Sequence, residues 1–135
     1  EMSASLVGSE MCIRDRSFAD AAHVIPADYV GMVSANDEPD KLEKSGFHAV
    51  KSDKVDAPLI EELPVTLECT LMKVNEDGNI IGKIENVSID EAVLDEKGEI
   101  DFAKFRPIAF EPAHNGYHVL KERVGNAFSD GGRLK

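Results

Sequence analysis

At 135 residues, with 26 acidic side chains against 15 basic ones, the chain is one domain at most, and its formal charge of -11 argues against nucleic-acid backbones and anionic membrane surfaces as partners, because both select for clustered Lys and Arg. No apolar run approaches the roughly 20 residues that span a bilayer, and the amino terminus lacks the basic-then-apolar pattern of a secretory signal, so the chain reads as cytoplasmic. Two cysteines, Cys12 and Cys69, are too few for a disulfide framework.

The opening sixteen residues, EMSASLVGSEMCIRDR, have neither helical nor strand period, no capping logic and no low-complexity bias. The run from Leu6 to Arg16 resembles a translated sequencing-library adapter, whose transposon-end sequence encodes Met-Cys-Ile-Arg-Asp in one frame. Residues 1–16 are therefore read as a non-native leader, with a native disordered tail as the alternative, and residues 17–135 as part of a single domain. The leader holds three acids and two bases, so the acidity belongs to the remainder.

From Ser17 to Ala35, the spacing of Ala22, Ile25, Tyr29 and Val33 predicts a helix, with Pro26 either in its first turn or at a kink. Asn36-Asp37-Glu38-Pro39 is a helix-start signature, leading into a one- or two-turn helix over Asp40 to Lys44 that Gly46 closes in a left-handed cap. Ala57-Pro58 turns the chain into Leu59-Ile60. After Pro64, the side chains Val65, Leu67, Cys69 and Leu71 alternate with Thr66, Glu68, Thr70 and Met72, the period-two pattern of a strand with one face in a core. Cys69 then reads as a small buried hydrophobe. The turn cluster Asn75-Glu76-Asp77-Gly78-Asn79 joins this strand to a second one from Ile80 to Ile89, making a hairpin whose second arm is closed by Asp90 to Leu94. Asp95-Glu96-Lys97-Gly98 is a turn, Asp101 caps a short helix through Phe105, and short strands follow at Arg106 to Phe110 and Tyr117 to Leu120. From Gly125 the tail is glycine-rich and polar. The fold class is mainly β with short helices, a decorated β-barrel that is incomplete.

No single motif identifies an enzyme: there is no phosphate loop, no CxxC and no nucleophile elbow. His114 and His118 are four apart, but Asn115-Gly116-Tyr117 between them speaks against a helix and so against a metal site. Lys41 and Lys44 present two ammonium groups to a phosphate or, more commonly, to solvent. Tyr117 and Phe128 suit stacking on a planar ligand or burial in a core.

Taken in order, the blocks Tyr29-Val30-Gly31-Met32-Val33-Ser34, Asp40-Lys41-Leu42-Glu43-Lys44-Ser45-Gly46, VDAPLIEELPVTLEC, RPIAF and VGNAFSDG resemble the carboxyl-terminal part of the flavin reductase-like family that includes flavoredoxin. The resemblance covers essentially all of residues 17–135. It implies an FMN-binding split barrel, a homodimer with flavin near the subunit interface, and electron transfer between NAD(P)H and flavin or from flavin to a redox partner protein, with the flavin carrying the chemistry. A tightly bound electron carrier and a non-enzymatic split-barrel binding module are the alternatives. The Asp40-Lys41-Leu42 block resembles the family's Asp-Lys-Phe block near the cofactor, which implies Lys41, with Asp40 and Lys44 beside it, as contacts to the flavin or its phosphate. The chain departs from the family at Asp77-Gly78-Asn79, where many relatives have a histidine shortly before the glycine matching Gly82, and at Lys121, where they often have glycine.

Overall fold

The computed structural model describes residues 15–134. Cys12 and residues 1–14 of the leader lie outside the described residues. In chain order the elements are β1 (Asp15–Ser17), α1 (Val24–Met32), α2 (Lys41–Ser45), β2 (Ala49–Lys51), β3 (Pro58–Ile60), β4 (Val65–Val74), β5 (Ile80–Ile89), α3 (Phe102–Phe105), β6 (Ile108–Glu111) and β7 (Gly116–Val119), with short 3₁₀ turns at Glu91–Val93 and Asp130–Leu134. Among the described residues the strands form three antiparallel groups, β1-β4-β5, β2-β3 and β6-β7, and none of them closes on itself.

The β4-β5 hairpin is the trunk. Its turn forms because Gly78 takes φ 78° and the Asn75 side chain accepts from the Asn79 amide at 2.8 Å, beside the main-chain bond from Asn75 N to Asn79 O. Pro64 stands just outside the ladder, as a residue without an N–H must, and its carbonyl accepts from Asp90 N at 2.8 Å. Register shifts at Glu68/Cys69 and Leu71/Lys73 twist the trunk. Beyond the first shift the hairpin runs out of cover, leaving Met72, Val74 and Ile84 more than half exposed.

The core lies at the other end. Val65, Val93 and Phe105 are buried together, with Ile89 and Ile100 packed against them. Asp101 organises this cluster twice: its amide donates to Val93 O at 2.9 Å, and its side chain accepts from Ala103 N at 2.8 Å to cap α3. Asp101→Ala is expected to lower the unfolding free energy by about 1 kcal/mol, read from the midpoint of a urea transition. At the far end of α3, Arg106 sits at φ 50°, a left-handed position that costs a residue with a Cβ about 1 kcal/mol, and its carbonyl is held by Ala21 N at 3.0 Å.

Three expectations need correction. Ser17 to His23 is not helical: Ser17 lies in β1, and Asp20 Oδ1 accepts from the Ala22 and His23 amides at 3.1 and 2.9 Å, so the helix starts at Val24 with Pro26 in its first turn and Ile25 exposed. Asp90 to Leu94 does not extend β5, because Asp90 caps a 3₁₀ turn through Ala92 N. Nor is one face of β4 simply polar and wet, since Thr66 and Glu68 are as buried as Val65 and Cys69.

Candidate functional site

Two short helices place the residues that the resemblance singles out. The last turn of any helix leaves carbonyls without amide partners, and here Lys41 fills that need: its Nζ donates to Val30 O at 3.0 Å and Val33 O at 2.9 Å, locking α2 against the end of α1. Gly46, at φ 77°, ends α2 in the left-handed cap expected of it. Lys44 lies on the other side, paired with Glu38 and, at 3.2 Å, with Asp40. Hydrogen bonds donated to Glu38 and then to Asp40 hold the Lys44 ammonium well above its ordinary range, and the bond accepted from Lys44 pulls Asp40 below the usual carboxylate range. Both groups are charged near neutrality. Asp40 and Lys44 are thus in contact, whereas Lys41 points to α1. A shallow cleft of about 200 Å³ between the helices is lined by Ile25, Pro26, Tyr29, Lys44 and Ser45.

Each lysine keeps part of its capacity for an anion: Lys41 is bonded to two carbonyls and Lys44 to two carboxylates, which leaves one N–H of each three-donor ammonium.

A larger open groove of about 640 Å³ lies elsewhere, where Phe102 of α3 meets Val119, Leu120, Lys121 and Arg123. Nothing in the sequence flagged it, since its walls come from segments that are joined only by the β6-β7 hairpin. Tyr117 is exposed, tilted against Phe110 at 5.7 Å, and donates to Asp28 Oδ1 at 2.6 Å, while Phe128 is wholly exposed, so neither aromatic is buried. His114 Nδ1 lies 3.2 Å from Glu111 in the hairpin turn and His118 is in β7; no group of three or more metal-ligating side chains occurs among the described residues.

The buried polar centre of the chain is Glu68, which is 2% exposed. It accepts from Ser52 Oγ, from Asn86 Nδ2 and, at 3.0 Å, from Ser88 Oγ. Burial alone pushes its carboxyl up, and these bonds together outweigh that and hold it below its ordinary range. Next to it the Cys69 thiol is buried, free and pushed up by desolvation, which makes it inert. Strand alternation did mark Glu68, but as a solvent-facing residue.

No family model matches the chain. An uncharacterised protein of Aquifex aeolicus is 34% identical over 74 residues, 53% of this chain and 38% of that protein. Flavoredoxin of Desulfovibrio vulgaris superposes with a TM-score of 0.80 at 35% identity, over 87% of this chain and 63% of that one. Flavoredoxin from Methanosarcina acetivorans gives 0.75 at 27% identity, over 90% and 64%. An FMN-binding domain of a flavin reductase-like enzyme from Shewanella baltica shares the fold, with a TM-score of 0.68 at 20% identity over 83% and 62%. The chain therefore spans less than two thirds of each of these proteins. The resemblance read from the ordered blocks is borne out: the architecture is that of the flavin reductase-like split barrel, mainly β with short helices and with its sheets unclosed.

Proposed function

We propose that the chain is the latter portion of an FMN-dependent oxidoreductase of the flavin reductase-like type, which as a whole protein moves electrons between NAD(P)H and flavin, joined here to a non-native leader over residues 1–16. The observation that carries this reading is the superposition on the D. vulgaris flavoredoxin at 35% identity over 87% of the chain. In the whole protein the α1-α2 elbow would border the flavin: Lys44 would offer the N–H left beyond Glu38 and Asp40 to a phosphate oxygen, and Lys41 keeps α2 in position by its bonds to α1. FMN, a nicotinamide donor and a second copy of the chain complete the assembly, in a soluble compartment taken to be the cytoplasm. No described helix is long and apolar enough to cross a membrane.

Because the chain spans only 63% and 64% of the two flavoredoxins it superposes on, the 135-residue chain is expected to bind FMN with a dissociation constant far above the micromolar range. Flavin-fluorescence titration reads this directly, and stoichiometric submicromolar binding overturns it. A second reading is favoured by two neighbours above 25% identity that are both flavoredoxins: the whole protein is an electron carrier that never releases its FMN. Steady-state NAD(P)H oxidation with added free FMN separates the two, since only a reductase turns over the added flavin.

A further inference from the structure

β1 runs antiparallel to β4, with Asp15 opposite Glu68, Arg16 opposite Leu67 and Ser17 opposite Thr66. Main-chain pairing makes no demand on side-chain identity, so even a foreign segment can enter such a ladder; what it places against the neighbouring strand is another matter. Ser17 fits, its hydroxyl 2.9 Å from that of Thr66. Asp15 does not. Both of its carboxylate oxygens are buried, and neither has a hydrogen-bond partner. Opposite it, Glu68 accepts from Ser52, Asn86 and Ser88. A carboxylate has about four acceptor positions on its two oxygens, so Glu68 retains room for one more donor. An ionised aspartate supplies none.

We propose that Glu68 is the acceptor of a docking socket on β4 built to receive a hydrogen-bond donor from the strand paired beside it, so that Asp15 seats β1 only when it carries a proton. A neutral Asp15 offers that donor through its O–H. Burial, reinforced by the Glu68 charge, pushes the Asp15 carboxyl up to about 6, while Glu68 stays low, so the proton of the pair resides on Asp15. The other groups around the pair do not reverse this. Beside the pair β4 adds the Cys69 thiol, its Lys73 lying five residues further along toward the turn, and β3 brings Pro58, Leu59 and Ile60, none of them titratable. Lys54, in the loop before β3, acts on Glu68 and lowers it; Arg16 of β1 and Glu85 of β5 act on Cys69 in opposite directions. Because the docked value lies above the usual 3.8, docking is strongest below that value and is lost as pH rises through about 6. A difference of about two pH units corresponds to about a hundredfold in the docking equilibrium.

NMR of the isotope-labelled chain tests this, following the Asp15 carboxyl carbon and the cross-strand contacts between Arg16 and Leu67 from about pH 4 to about pH 8. In the wild-type chain the carboxyl is expected to titrate near 6 and the contacts to fade over the same range. In Asp15→Asn, whose amide is a permanent donor, the contacts are expected to persist throughout. A wild-type midpoint at the ordinary value, contacts that survive to the alkaline end in the wild type, or contacts that fade alike in Asp15→Asn each overturn the proposal. The wild-type titration decides the matter even if the variant fails to fold.

Discussion

Replacing Phe105 with alanine is expected to remove about 3–5 kcal/mol of stability, a large share of the about 5–15 kcal/mol that holds a typical domain folded. The side chain is 5% exposed and forms, with Val65 and Val93, the described hydrophobic cluster to which β4, the 3₁₀ turn and α3 each contribute one residue. Removing it opens a cavity that three different elements border and that none can fill alone. Phe102 supplies the internal control. It lies three residues earlier on the same helix, its ring 6.5 Å from that of Phe105, yet it is half exposed, so Phe102→Ala is expected to cost under about 1 kcal/mol. Urea unfolding of the two variants side by side is the measurement. Equal losses would mean that the cluster at Phe105 is not what holds the chain together.

Elements whose cause is local were legible in the sequence. The Asn75–Asn79 turn, the Gly46 cap, the Asp95–Gly98 turn and the Asp101 cap are each set by side-chain or glycine chemistry within a few residues, and each stands where the sequence places it. Both arms of the trunk hairpin were legible too, because a turn signal fixes where the alternation starts again. What failed depends on distant partners. The spacing of Ala22, Ile25, Tyr29 and Val33 carries the expected helix back to Ser17, but β4 claims Ser17 from 49 residues away, and Asp20 offers its own oxygen to the amides a helix would need. Alternation places Glu68 in solvent because nothing near it in sequence announces donors 16, 18 and 20 residues away. The candidate site was legible by resemblance only: the block around Lys41 is on the elbow, yet the bonds of Lys41 to carbonyls 8 and 11 residues earlier leave no trace in composition or spacing.

The substitution Glu68→Leu is expected to cost about 3 kcal/mol or more, whereas Glu68→Gln costs about 1 kcal/mol, although leucine is the more hydrophobic of the two and the site is almost fully buried. The reason is that Glu68 is the acceptor on which Ser52, Asn86 and Ser88 converge. Leucine takes away the acceptor of all three donors, buried Ser52 among them, and leaves Asn86 the bond it already makes to Ser88 Oγ at 3.1 Å. Glutamine keeps a carbonyl acceptor, and its amide can meet the partnerless oxygens of Asp15. The pH dependence distinguishes these effects from simple packing. Glu68 is held below its ordinary value of 4.5, so its contribution is complete above that value and is lost as pH falls through the lower, folded one; Asp15 runs the opposite way, its contribution lost as pH rises through about 6. For these two groups the wild-type chain is therefore most stable between 3.8 and 4.5, and it loses the Asp15 contribution progressively as pH rises from there through about 6. In Glu68→Leu the acid-side loss due to Glu68 is expected to vanish while stability is lower across the range, a pattern that urea midpoints at several pH values will resolve. If Glu68→Leu matches the wild type, or keeps its acid-side slope, the buried carboxylate is not the hub of the donors around it.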